Sequence, residues 1–436
     1  MVRRCCSFAL WGADEDVCVK VWMKVLGRSA VVVTDDRWFA WRIGAFFGAL
    51  FLVYGTSLPY LPVLLDARGL TAAEIGMVSS VPLIVRLLLT PLIAIHADRH
   101  GDHRQVVIGL SAIGVAMLLL LWGARGFWPI LLCATAFLVA IQSIMPLIET
   151  IAMAGVSRGG HDYGRMRLWG SATFILITFA GAALIDWQGS GVIVGLLMIG
   201  AISTLCAALA LPRPQRPAPE DGAGTRDVKS RLDLAAARGL ITSRPMLLFL
   251  LAAGAAQSAH AVFYAFGVLH WRTTGVPVSW IGLLWSIGVV AEIALFWWSK
   301  RVLAWVRAVD LIAIGAAVSV FRWTMMAFDP TLPALAALQV LHGLTYGASH
   351  LGAMHYIQAR VPQGQAGTAQ ALYSTVTAGI GMGLAMLFAG FAYQRFGGLS
   401  YLGMAVLGGV SLGAALALRR LTPTVPAEPV RSSHSE

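Results

Sequence analysis

Glu149 and Glu292 are acids set deep inside long apolar segments, and three arginines, Arg42, Arg86 and Arg322, share that depth. On insertion scales each charge facing lipid at the centre of a helix costs roughly 2.5–3.5 kcal/mol. Five together would cost on the order of 12–18 kcal/mol, comparable with the whole net stability of a domain. They must therefore face protein or water and find partners. A carboxyl whose arginine partner approaches in one conformation and withdraws in another binds and releases a proton as the conformations alternate. Ionisable residues at membrane depth in a chain of many spans mark a transport pathway.

Other polar groups line up with these charges at helical spacing. Side chains at i, i+3, i+4 and i+7 share one face. Such stripes are Gln142, Pro146 and Glu149; Gln257, His260 and Tyr264; His342, Tyr346, Ser349 and His350; and Gln370, Tyr373, Ser374 and Thr377. Phe47, Phe51 and Tyr54 add an aromatic stripe. For Gln370, Ser374 and Thr377 the simpler reading is interhelical hydrogen bonding, worth about 0.6 kcal/mol each. Glu292, Glu149, Arg322, His342 and His350 are the proton-handling candidates, because carboxyl and imidazole groups exchange protons. Arg86, Arg167 and Arg322 offer bidentate recognition of a carboxylate. Tyr54, His260, Tyr264, Trp285 and Tyr346 supply aromatic and polar walls. Together these would suit an aromatic anion.

The elements that must position these residues are membrane spans. The 436 residues are 58% hydrophobic and only 12% charged, against about 25% charged in soluble domains. Apolar stretches near the length of about 20 residues needed to cross a bilayer occur at 43–63, 75–96, 105–124, 129–156, 168–187 and 190–211. Six more follow at 246–270, 281–299, 308–328, 332–358, 369–393 and 397–418. The expected organisation is an N-terminal tail (1–36), a six-helix bundle (37–211), a linker (212–244), a second six-helix bundle (245–420) and a C-terminal tail (421–436). The linker is rich in Pro, Arg and Asp, with a short surface helix expected near Leu232–Leu240. Acids at 14–16 interrupt any apolar core in the tail, which therefore does not read as a signal peptide, and Met23 is an alternative start.

The net charge of +11 sits in short connectors rather than on one continuous basic face, and no nucleic-acid-binding motif accompanies it, which argues against a nucleic-acid partner. With both termini on one side, 25 of the 32 Lys and Arg fall on that side, and only Arg68, Arg125, Arg272 and Arg395 on the other. By the positive-inside rule both ends are expected in the cytoplasm of a bacterial-type inner membrane. The five cysteines have neither metal-ligand nor disulfide spacing. No cofactor or metal is expected, and no nucleophile motif suggests an enzyme. The bilayer, a small-molecule substrate and a proton are the expected partners of a monomeric chain.

An internal repeat recurs at an offset of 206, where Gly69, Ile75, Gly76 and Ser80 match Gly275, Ile281, Gly282 and Ser286. At the same offset Arg86 falls on Glu292, so the halves carry opposite charges at equivalent depth. Parallel six-span repeats with a central site are a transporter architecture.

The segment Ala97-Asp98-Arg99-His100-Gly101-Asp102-His103-Arg104 resembles the gating loop between spans two and three of the major facilitator superfamily. There an acidic-basic pair, a glycine and further basic residues lock neighbouring helices, and Asp98, Arg99, Gly101 and Arg104 take those places. Here Ala94 replaces the usual leading glycine and Asp102 a basic residue. The runs Asp162-Tyr163-Gly164-Arg165-Met166-Arg167-Leu168-Trp169-Gly170-Ser171 and Ser286–Glu292, with Phe321-Arg322-Trp323 and Leu341-His342, are similar to the 3-phenylpropionate permease subfamily. That subfamily lies near lactose permease and the nucleoside:proton symporters, and the resemblance covers residues 37–420. It implies an all-α membrane protein of twelve helices in two pseudo-repeated six-helix bundles, working by alternating access. The implied activity is proton-coupled uptake of an aromatic carboxylate such as 3-phenylpropionate. The alternatives are a sugar or nucleoside symporter, or an exporter; a membrane ligand sensor is the reading from another class. By position, Glu149, Glu292, Arg167, Arg322 and His342 or His350 match polar residues of lactose permease. Its acid on span ten has no counterpart within 332–358.

Overall fold

Glycine and polar caps set the ends of the helices. The structure, a computed structural model, describes residues 38–159, 161–212, 239–362 and 365–422. The N-terminal tail, the greater part of the linker with its expected helix, and all but the first residues of the C-terminal tail lie outside these. Spans one to six are the helices Phe39–Ala67, Ala72–His100, His103–Gly123, Phe127–Gly159, Tyr163–Gln188 and Val192–Ala210. Thr71 and Glu74 form a reciprocal capping box at the start of span two, satisfying two of the backbone donors that a helix start leaves open. Asp102 and Asp162 cap spans three and five through the backbone N–H groups of Gln105 and Arg165.

In the second half the helices are broken. Span seven runs from Arg244 to Thr273 as two helices, Arg244–Ser258 and Ala261–Thr273, with His260 at the turn between them. Span eight is Val278–Trp297 and span nine Ala308–Met326. Span ten (332–360) and span eleven (366–396) each widen into a π-helical segment, at Gly343–Ala348 and Thr375–Gly381. Such segments collect at functional sites. Span twelve is Tyr401–Leu421. Ten of the described stretches are long and apolar enough to cross a membrane. The last of these, Ala366–Leu421, is 56 residues long and reverses at Gly397, so it counts as spans eleven and twelve. Span ten is the remaining one, made more polar by Gln339, His342, His350 and His355.

The packing repeats with the sequence. Span one lies against five and six, three against four and six, and two against four; the same pairs recur as seven against eleven and twelve, nine against ten and twelve, and eight against ten. The halves meet through two against eleven, five against eight, and one against seven. Gly69 and Gly275, equivalent in the repeat, both take left-handed φ angles, +81° and +83°, which a side chain rarely tolerates. One turn into the next spans, Gly76 and Gly282 let backbones of opposite halves touch. A Cβ on Gly76 would sit 2.8 Å from the Cα of Gly390, and one on Gly282 would sit 2.9 Å from the Cα of Phe179. The amide of Ala73 donates to Gln394 at 3.2 Å across the same seam. Small residues at crossings are how membrane helices gain close packing.

The double variant Gly76→Leu/Gly282→Leu is therefore expected to part the halves at this end. Spin labels on Ala73 and Gln394, read by pulsed electron resonance, should shift to longer separations than in the parent protein; an unchanged distance distribution would show that these contacts do not hold the seam.

Candidate functional site

In its last third span nine carries Arg322, which is fully buried. Its donors go to span ten: Nη1 to Nδ1 of His342 at 3.2 Å and Oγ1 of Thr345 at 3.0 Å, and Nη2 to Oε1 of Gln339 at 2.9 Å. Its flat face lies 4.4 Å from the ring centre of Trp323 and 5.2 Å from that of Phe263, a favourable setting for a desolvated guanidinium.

The direction of every hydrogen in this network follows from arginine being a donor only. His342 accepts on Nδ1, so its own proton is on Nε2, which faces Oε2 of Glu292 at 3.9 Å. That is ion-pair range but too long for a hydrogen bond. Thr345 accepts from Arg322 and donates to Nε2 of His260 at 3.1 Å. His260 then carries its proton on Nδ1, which faces the carbonyl of Ala256 at 3.1 Å, in the turn that breaks span seven. Two oriented chains thus start from Arg322, one ending at Glu292 and the other at backbone.

Sequence reasoning expected Arg322 to pair with one of the two acids. Among the described residues it bonds no carboxylate, because the His342 ring bridges it to Glu292.

A cavity of about 380 Å³ opens beside the first chain, within the size range of small-molecule sites. Phe51, Arg167, Ser171 and Phe174 reach it from the first half. From the second come Phe263, Tyr264, Trp285, Glu292, Gln339, His342 and Tyr346. Glu292 keeps 24% of its side-chain surface exposed there.

Of the expected site residues, Glu292, His342, Arg167, Tyr264, Trp285 and Tyr346 line this cavity, and Arg322 and His260 back it. The others lie elsewhere. Glu149 accepts from the hydroxyl of Tyr163 at 3.3 Å. Arg86 donates to Gln142 at 2.8 Å and to the carbonyl of Ala378 at 3.2 Å. Tyr54 donates to the carbonyl of Ile141 at 3.4 Å, and Nδ1 of His350 meets the Tyr373 hydroxyl at 2.9 Å. In each case a neighbouring helix uses the polar group before a ligand can. Arg167 is stacked on Phe51, 4.0 Å from its ring centre.

In the loop after span two, Gly101 takes φ +65° as the helix cap. Asp98 pairs with His103 at 2.9 Å, and Arg99 is exposed. Arg104 donates to the carbonyls of Leu209 and Leu211 at 2.7 and 2.9 Å, tying span three to the end of span six.

Sequence reasoning missed Gln339 and Thr345, although both were within reach. Extending the span-ten stripe one turn back from His342 finds Gln339; Thr345 lies three residues on. Phe174 and Phe263 carry no such signal, being apolar residues in apolar spans. Among the described residues no group of three or more His, Cys, Asp and Glu is placed to hold a metal.

A family model described as the MFS_1 like family matches residues 40–402. The chain is 33% identical over 374 residues to a probable 3-phenylpropionic acid transporter of Escherichia coli (strain K12), covering 84% of this chain and 93% of that one. It is 30% identical over 355 residues to a maltose permease of Geobacillus stearothermophilus, covering 80% and 87%. The crystal structure of the nucleoside transporter NupG superposes with a TM-score of 0.74 at 18% identity, covering 88% of this chain and 98% of that one. At that identity the likeness is one of fold.

Thr345 links Arg322 to His260 in the second chain, so Thr345→Val, which keeps the shape, should destabilise the protein by about 1–3 kcal/mol. Thr324→Val, which removes only a bond to the carbonyl of Val320 in its own helix, should cost less than about 1 kcal/mol. Thermal unfolding of the two variants in detergent checks this ordering.

Proposed function

The chain belongs to the MFS_1 like family and is a multi-pass membrane transporter, not an enzyme; we propose that it carries an aromatic carboxylate inward with a proton by alternating access. The observation that carries this reading is the cavity between the halves, where Glu292 and His342 face a wall of aromatic rings. The relationship to the probable 3-phenylpropionic acid transporter supports the cargo class. The excess of basic residues on one side supports placing both termini in the cytoplasm.

Glu292 is the group we assign to the proton. While Arg322 is docked on Nδ1 of His342, a second proton on that imidazole would set one donor against another, so His342 stays neutral. Glu292 has no such restraint: it opens to the cavity, and the Nε2–H of His342 faces it. Movement of span eight against span ten would bring that N–H into hydrogen-bond range and favour the carboxylate, releasing the proton; withdrawal would favour the acid. The repeat gives the motion its parts, since Gly76 and Gly282 hold one end of the seam by contacts without side chains. Glu149 would serve a second, supporting role through Tyr163.

A sugar is the second reading, favoured by 30% identity to the maltose permease. Uptake of labelled 3-phenylpropionate into proteoliposomes separates the two. Accumulation driven by an inward proton gradient supports the aromatic acid, whereas maltose uptake without competition by aromatic acids supports the sugar. In the Glu292→Gln variant uphill uptake should be lost while counterflow exchange persists, because the proton step is removed and reorientation of the loaded carrier is not. Wild-type accumulation in that variant would move the proton to another group.

A further inference from the structure

Around Arg322 the donors outnumber the acceptors. Its Nη1 and Nη2 are used, but its Nε–H is buried with no acceptor. Gln339 accepts from Nη2 on Oε1, which fixes its amide orientation, since turned over it would set its own NH2 against the guanidinium. Its Nε2 is therefore the free end, and it is buried without an acceptor on a residue that is 0% exposed and lies on the cavity wall. Trp285, 5% exposed and on the same wall, also has an Nε1–H with no acceptor. Buried polar groups are nearly always paired, and an orphan requires a reason. These three orphans are all N–H donors, and a guanidinium that bonds no carboxylate among the described residues stands behind the two on the wall.

The group that would satisfy all of this is an oxyanion. We infer that Gln339 and Trp285, backed by Arg322, form the seat of the cargo's carboxylate. The body of the cargo then extends toward Phe51 and Phe174 in the other half. This rests on the reading of the cargo as an aromatic carboxylate and names the side of the cavity that recognises it. It places the anion on the second half, where sequence alone offers Arg86, Arg167 and Arg322 without choosing among them. Arg86 spends its donors on Gln142 and Ala378, and Arg167, stacked on Phe51, lies beside Tyr163 and Glu149, which offset its charge. The seat also explains coupling. Glu292 lines the same cavity, and two carboxylates sharing one site are disfavoured unless one is protonated. The anion and the proton therefore bind together.

The test is binding to the purified full chain in nanodiscs, by calorimetry, of 3-phenylpropionate, its neutral alcohol 3-phenylpropan-1-ol, and the aliphatic hexanoate. The parent protein should prefer 3-phenylpropionate to the alcohol by about tenfold or more, the scale of a hydrogen bond to a charged group. Trp285→Phe removes one N–H and keeps a ring; Gln339→Glu sets a fixed carboxylate in the seat. Each should lower affinity for the carboxylate by about tenfold and erase the preference over the alcohol, whose retained binding reports a folded site. A preference that survives both variants, or that disappears only with Arg167→Gln, overturns the inference and leaves the aromatic-acid reading standing. Binding of hexanoate that depends on Gln339, with none of 3-phenylpropionate, upholds the seat and overturns the aromatic reading. Failure of the parent protein to bind either carboxylate overturns both.

Discussion

A guanidinium sealed from water, with no carboxylate bonded to it among the described residues, is the constraint on which the second half of the molecule is organised. Charge at that depth is costly unless hydrogen bonds and polarisable faces surround it. Arg322 obtains these from one face of span ten and from the rings of Phe263 and Trp323. Meeting these needs determines much else. Span ten must bring residues 339, 342 and 345 to one point, and its π-helical segment begins between the second and third of them. Span seven must break so that His260 can take the Thr345 hydroxyl and still return its own proton to backbone. The helix irregularities and the buried charge are thus parts of one arrangement.

That arrangement gives the site direction. A donor-only residue at one end fixes the tautomer of His342, and the fixed tautomer turns an N–H toward Glu292. Glu149 is held by the Tyr163 hydroxyl, which also lies beside Arg167. The two acids look alike in sequence, each deep in an apolar span, yet of the two it is Glu292 that lines the cavity and faces the free N–H of His342. Equivalent burial in sequence does not make equivalent chemistry; the neighbouring helix decides.

This difference marks the limit of what was legible. The spans could be read because an apolar stretch of membrane length is a property of consecutive residues, and the repeat because Gly69 and Gly275 answer to the same backbone requirement. Glu292, His342, Tyr264, Trp285 and Tyr346 could be named because polar or aromatic groups in an apolar span stand out. What could not be read is which groups meet across helices. Arg86, Tyr54 and His350 look as suitable as Arg167, Tyr264 and His342, and are set apart only by Gln142, Ile141 and Tyr373 on adjacent spans. The breaks in spans seven, ten and eleven were equally hidden, since no proline marks the residues where those helices deform.

The repeat itself shows how one scaffold holds two different halves. Gly76 and Gly282 keep the same duty in both, admitting the opposite backbone at one end of the seam. Ten residues further along, the equivalent positions have parted: Arg86 in one half and Glu292 in the other. Arg86 reaches across to the carbonyl of Ala378, in the π-helical segment of span eleven, and so joins the halves. Glu292 faces the cavity and joins nothing permanently. Proton-coupled carriage, the function proposed for this chain, needs a seam that closes repeatedly and a charge that changes state within it. Duplicated glycines suit the first requirement because close packing is symmetric. The second requires asymmetry, since two identical charges at equivalent depth would repel or would both be neutralised in the same way. Divergence at this one pair of positions leaves the packing symmetry of the fold intact and makes its electrostatics one-sided.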